Sequence, residues 1–93
     1  MYPRILRRVR DLILNGQYVV TSHAYDEMAA DDLTIWDVER AVLTGSVVER
    51  QKDARTAELK YRLRGDGVDD VAMELILRIG PTGKVIIITV YAL

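Results

Sequence analysis

The sequence feature that most constrains the fold is a change in the spacing of apolar residues at Gly45, near the middle of the chain. Before Gly45 the apolar residues recur every three or four positions, as they do on one face of an α-helix. After Gly45 they alternate with polar residues, as they do on a β-strand with one buried face. Helices followed by strands are typical of an α+β domain, and the apolar helix faces need a sheet to cover.

Three helices are predicted in the first half of the chain. The first begins at Pro3, which suits the first turn of a helix, and ends before Asn15. The second covers roughly residues 22–30. The third is capped by Thr34 and is expected to end at Gly45 in a left-handed conformation.

About four strands are predicted in the second half, and they are joined by turns of hairpin length. Such turns predict an antiparallel sheet. In "AELKYRLRG" the apolar Tyr61 and Leu63 face one side of the sheet, and the charged residues face the other. "KVIIITVYAL" is apolar on both faces, which indicates a central strand. With no linker or repeat in the sequence, residues 1–93 are expected to form a single α+β domain with N-terminal helices packed on one sheet face.

Composition narrows the classes of function. The formal net charge is −1, so any nucleic-acid site must be a local basic patch. The chain has no cysteine, which excludes disulfides and thiolate chemistry and fits a reducing cytosol. No segment approaches the length of a membrane span, and the N-terminus lacks the features of a secretion signal. A cytoplasmic location without membrane contact is therefore expected.

His23, the only histidine, is the first candidate site residue. Glu27 lies four positions further on, which places its carboxylate beside the imidazole on a helix. Such a pair suits a general acid or base. The alternative, which we favour from the sequence, is a structural histidine that is mostly buried where the second helix meets the sheet. A metal site is not expected, because no second histidine and no cysteine are present.

The second candidate is a stripe of cations formed by Lys60, Arg62 and Arg64, which alternate along one strand and so share one face. Guanidinium groups bind phosphate oxygens bidentately, so the stripe is a candidate RNA-binding surface. Arg78 on the neighbouring strand is expected to join this face. The alternative is an ordinary solvated sheet face.

Three segments together resemble a prokaryotic family of unknown function, the domain of unknown function 4258. They are "SHAYDEM", "LTIWDVERAVLTGSVVE" and "VIIITVY", and the resemblance covers residues 18–91. That family is distantly similar to the RelE/ParE toxin superfamily, which includes BrnT-type toxins. The resemblance implies helices packed on an antiparallel sheet. This chain departs from the family at Glu27, where many members carry an arginine.

The resemblance also implies a function. RelE-like members cleave mRNA, commonly at the ribosome, and an antitoxin protein neutralises them, whereas ParE-like members act on gyrase. A metal-independent endoribonuclease without a cofactor is therefore expected, with RNA or the ribosome as target and an antitoxin as partner. Arg62, Arg64 and Arg78 would hold the phosphate, and His23 or Tyr91 would activate the ribose 2′-hydroxyl. The alternative is a non-catalytic protein-interaction module that uses the same sheet face. Homo-oligomerisation is left open.

Overall fold

The computed structural model describes residues 2–93, in which three α-helices precede most of a five-stranded sheet. The helices are α1 (Pro3–Leu14), α2 (Ser22–Ala30) and α3 (Ile35–Thr44). The strands are β1 (Tyr18–Val20), β2 (Ser46–Lys52), β3 (Leu59–Asp66), β4 (Ala72–Ile79) and β5 (Val85–Ala92), and a short 3-10 turn (Val68–Asp70) links β3 to β4.

Local sequence signals set the helix ends. The Thr34 hydroxyl accepts a hydrogen bond from the Asp37 N–H, and the Asp37 carboxylate accepts one from the Thr34 N–H, so Thr34 caps α3 as predicted. The predicted left-handed end at Gly45 is wrong, because its φ is −94° and the chain runs directly into β2. Glycine is needed there for space, since a Cβ would lie 2.6 Å from the carbonyl oxygen of Ala41.

The sheet has the strand order β1-β5-β4-β3-β2. Strands β2 to β5 form the expected antiparallel ladder, and β5 is a central strand as predicted. The α+β class with helices packed on the sheet is confirmed. The prediction of four antiparallel strands is wrong by one strand, because Tyr18–Val20 pairs parallel to β5. Three residues are too short to show an alternating pattern, and their partner lies at the far end of the chain.

A single hydrophobic core lies between the helices and one face of the sheet. Tyr61 and Leu63 of β3 point into it, as the alternation predicts. The helices supply Val9, Ala24 and Val38, among others, to the same core. The opposite face of β3 to β5 carries the alternate residues, both charged ones such as Arg62 and Glu74 and apolar ones such as Ile76. It has no helix over it in the described part of the chain.

Candidate functional site

Three polar side chains meet around the carboxylate of a fourth, Glu74, on the uncovered face of the sheet. Glu74, of which only 3% is exposed, accepts hydrogen bonds from the Tyr91 hydroxyl at 2.5 Å and from Arg62 Nη1 at 2.9 Å. Arg64 donates to the same carboxylate from Nε at 2.8 Å, and its Nη2 lies 2.7 Å from it. We call Arg62, Arg64, Glu74 and Tyr91 the Glu74 cluster. It places two cations and a phenol on an open surface.

Strand register explains why these residues meet. Arg64 lies directly opposite Glu74 on β4, and Glu74 lies directly opposite Tyr91 on β5, so the three form one row across three strands. Arg62 lies two positions along β3 on the same face and reaches Glu74 diagonally.

A β-bulge brings Tyr91 to this face. Ile87 points into the core, and strict alternation would send Tyr91 to the core as well. The register of β5 shifts between its pairings with Leu77 and Ile76, so that Ile88 is extra. The inward residue after the bulge is therefore Val90, and Tyr91 turns outward.

A second bulge acts in the same way on the edge strand β2. The register shifts between Val47, which is buried, and Glu49, which lies opposite Arg62. The Glu49 carboxylate therefore reaches Arg62 Nε at 3.2 Å on the uncovered face. The two bulges thus turn Glu49 and Tyr91 toward the site, and bulges are often found next to functional sites.

Mutual contacts fix the protonation of the cluster. The hydrogen bond from Tyr91 is the largest cause that lowers the pKa of Glu74, from 4.5 to about 2, and bonds from Arg64 and Arg62 add to it against the opposing effect of burial. The same bond to Glu74, together with burial, raises the pKa of Tyr91. Near neutral pH, Glu74 is therefore ionised and Tyr91 keeps its proton.

The charges around the cluster balance when the neighbouring Glu49 is included. Arg62 is paired with both Glu49 and Glu74, and Arg64 with Glu74. The side chain of Arg64 is nevertheless 56% exposed, and each guanidinium has N–H groups beyond those that these pairs use. A ligand that approaches this face would meet oriented guanidinium donors with little net positive charge behind them.

The other two cations of the predicted surface lie outside the cluster. Arg78 is on the uncovered face, but it lies four residues along β4 from Glu74, roughly 13 Å away at the usual rise of a strand. Its guanidinium is paired with Glu58 at 3.3 Å. Lys60 lies on the same face of β3 and has no ion pair among the described residues. Their roles in binding RNA stay predictions.

His23 is not where the sequence placed it. Its side chain is 68% exposed, so the prediction of a mostly buried ring is wrong. The predicted pairing with Glu27 is present, with Nε2 3.2 Å from the carboxylate. The buried face of α2 consists of Ala24 and Met28 instead. No hydrogen bond or ion pair joins His23 to Arg62, Arg78 or Tyr91 in the described structure, so His23 is not part of the Glu74 cluster.

Sequence reasoning missed the central residue of the site. Glu74 reads as an ordinary outward-facing charge that alternates with Met73 and Leu75. Its row of partners depends on register and on the bulge in β5, which local periodicity does not reveal. The available signal was the cross-strand complementarity of a lone acid on β4 with the basic stripe of β3.

The fold and site define a small α+β protein with three helices on one face of a mixed five-stranded sheet and a polar cluster on the other. The model of one family, described as a domain of unknown function (DUF4258), matches residues 20–92, and the chain belongs to that family. The match begins at the end of β1, so it leaves out α1. No curated protein and no solved structure matches the chain. The resemblance predicted from the sequence is thus confirmed at the level of the family, and similarity to the RelE/ParE superfamily stays a prediction.

Neither a cluster of metal ligands nor a membrane-spanning helix is present in residues 2–93. No group of three or more His, Cys, Asp or Glu side chains in this range is arranged to hold a metal ion. None of the helices in the same range is long and apolar enough to cross a membrane.

Proposed function

We propose that this protein is the toxin component of a toxin–antitoxin pair and acts in the cytoplasm as a metal-independent endoribonuclease. The observation that supports this proposal is the Glu74 cluster, in which one buried carboxylate holds two arginines and a tyrosine on a sheet face without a helix above it. Arginines that are oriented in advance bind a phosphate at a low cost in side-chain entropy.

The proposed reaction assigns a different role to each member of the cluster. The ribose 2′-oxygen attacks the adjacent phosphorus, a new P–O bond forms, and the bond to the 5′-oxygen breaks. Arg62 and Arg64 stabilise the charge that develops on the phosphate oxygens. Tyr91, whose raised pKa keeps it protonated, gives its proton to the departing 5′-oxygen. Glu74 is a positioning residue, because a carboxylate with a pKa of about 2 is too weak a base to take the 2′-hydroxyl proton, which passes to water.

Expression in a bacterial host tests this proposal. We expect induction of the wild-type chain to slow growth and to cleave cellular mRNA, and co-expression of a cognate antitoxin to restore growth. The double variant Arg62→Ala with Arg64→Ala, and the single variant Tyr91→Phe, should abolish cleavage. Arg55→Ala in the turn between β2 and β3 is the matched control, because Arg55 is exposed and lies outside the cluster.

A wild-type chain that neither slows growth at high expression nor cleaves RNA in vitro would overturn the toxin proposal. Arg78→Ala extends the test to the far end of the uncovered face. If Arg78 holds an RNA phosphate as the sequence predicts, this variant should weaken cleavage while Arg55→Ala does not.

A second candidate function is a non-catalytic module that binds another protein through the same face. The pairing of every arginine on this face with a carboxylate favours it, because a near-neutral face gives a phosphate chain little long-range attraction. This candidate predicts that Arg62→Ala with Arg64→Ala weakens capture of a protein partner while the wild-type chain leaves both growth and RNA intact.

A further inference from the structure

Several cations without ion pairs lie together on α1 and at the neighbouring edge strand, outside the Glu74 cluster. On α1, Arg4, Arg7 and Arg8 are exposed, and none of them is within an ion-pair distance of a carboxylate in residues 2–93. Spacings of three and four residues place them side by side on one surface of the helix. Arg50 on β2 is also exposed and also unpaired there. These four arginines give this part of the surface a positive charge that no described carboxylate pairs with.

An aromatic pocket opens beside them. It has a volume of about 320 Å³ and is lined by Tyr2, Pro3, Arg4, Ile5, Arg50 and Tyr61. The rings of Tyr2 and Tyr61 meet edge to face, with centroids 6.4 Å apart. The guanidinium of Arg50 lies over the Tyr2 ring, 5.6 Å from its centroid. We call this feature the Tyr2–Tyr61 pocket.

We propose that the α1 surface is a second binding site, for single-stranded RNA, in which the Tyr2–Tyr61 pocket takes one nucleobase and Arg4, Arg7 and Arg8 take backbone phosphates. Flat aromatic rings and guanidinium planes are the groups on which proteins stack unpaired bases. Exposed arginines supply the phosphate contacts that such a base needs on either side.

The pocket lies next to the edge strand that borders the Glu74 cluster. Arg50 belongs to the edge strand β2 and follows Glu49, the residue that contacts Arg62 on the uncovered face. Successive residues of a strand point to opposite faces, so a single strand of RNA that crosses the β2 edge reaches both sites within a few nucleotides. The inference shares an RNA partner with the proposed function, but it concerns a separate surface and does not require cleavage.

Binding of a fluorescein-labelled, single-stranded oligouridylate, followed by fluorescence anisotropy, tests the site. Tyr2→Ala should weaken binding at least about 5-fold, the loss typical of one stacked base. Arg4→Ala with Arg50→Ala should weaken it too and reduce the slope of log affinity against log salt by about 0.7 for each phosphate that the variant no longer neutralises. The matched controls are Tyr25→Ala on α2 and Arg55→Ala, both exposed residues that do not line the pocket, and they should bind as the wild type does.

Several results would overturn the inference. One is that the wild type does not bind the oligonucleotide, and another is that the control variants lose as much affinity as the pocket variants. A third is that polyglutamate at equal charge displaces the RNA, which would indicate an acidic protein as the partner. Arg50→Ala alone keeps both tyrosines, so a loss of binding in this variant reports a lost contact in the pocket and not a misfolded pocket. If the pocket variants bind normally while Arg62→Ala with Arg64→Ala loses cleavage, this inference fails and the proposed function stands.

Discussion

Glu74 is the residue on which the polar side of the sheet depends. A buried carboxylate is costly unless hydrogen bonds replace its hydration, and here the donors come from β3 and β5 on both sides of its own strand. Residues 2–93 contain no buried side-chain nitrogen or oxygen without a partner, so this cluster is fully satisfied. Glu74 therefore stabilises the fold and orients the candidate site at the same time.

Because folding lowers the pKa of Glu74 from 4.5 to about 2, the free energy of unfolding should depend on pH between these two values. Between these two values the unfolded chain binds more protons than the folded one, so stability rises with pH there. The contribution of Glu74 is complete above the unfolded pKa and is lost as pH falls through about 2. We expect it to be on the order of 1 to 3 kcal/mol in urea denaturation.

Glu74→Gln isolates this contribution. Near neutral pH it should cost about 3 kcal/mol, because two guanidinium groups lose their buried counter-ion, and the difference from the wild type should shrink as the solution is acidified. Glu58→Gln is the control, since Glu58 is a half-exposed partner of Arg78 and its pair is worth about 0 to 1 kcal/mol. A difference between Glu74→Gln and the wild type that does not change with pH would contradict this account.

At the scale of elements, α2 completes the sheet where β1 is too short to do so. β1 pairs with β5 only as far as Ile87, and beyond that point β5 would present unpaired N–H groups. Carboxylates of α2 and its C-terminal cap accept them instead: Glu27 accepts from the Val90 N–H at 3.1 Å, and Asp31 from the Ala92 N–H at 2.9 Å. Glu27 therefore has a structural role at the sheet edge.

The two members of the His23–Glu27 pair should accordingly differ in their effect on stability. Glu27→Ala leaves the Val90 N–H without its acceptor and should cost about 1 to 3 kcal/mol in urea denaturation, with faster hydrogen exchange at that amide. His23→Ala removes only an exposed ion-pair partner and should change stability by less than about 1 kcal/mol. Equal losses in the two variants would show that the pair itself, and not the edge of β5, is what Glu27 stabilises.

The elements differ in how much of them the sequence could predict. The capping box at Thr34 and the alternation through Tyr61 and Leu63 are local, and they predicted α3 and β3 correctly. The pairing of β1 with β5 and the bulge at Ile88 depend on residues that are distant in the chain, so no local pattern predicted them. The placement of His23 failed for a related reason, because the side of α2 that is buried depends on its docking along β5.

At the scale of the whole molecule, α1 is joined to the family fold by both apolar and polar contacts. Val9 is 1% exposed and Ile13 3%, so the inner face of the helix belongs to the common core. Arg10 adds a polar connection, because its Nε donates to the carbonyl of Val42 at 3.0 Å and its Nη2 to that of Gly45 at 2.7 Å. These carbonyls end α3 and have no partners within that helix, so a guanidinium there serves as a C-terminal cap and complements the helix dipole.

This contact predicts that α1 unfolds together with the rest of the chain although the family match leaves it out. Arg10→Ala should lower the free energy of unfolding by about 1.5 to 3 kcal/mol, the usual value of hydrogen bonds from a charged donor, and should leave the urea m-value unchanged. Arg7→Ala is the matched control on the same helix, because Arg7 is exposed and has no ion pair in the described chain, and it should change stability by less than about 0.5 kcal/mol. A lower m-value in Arg10→Ala, or two separate transitions, would contradict this prediction. Either result would show that α1 detaches from the sheet before the core unfolds, so that the arginines of α1 lie on an element that unfolds separately from the family fold.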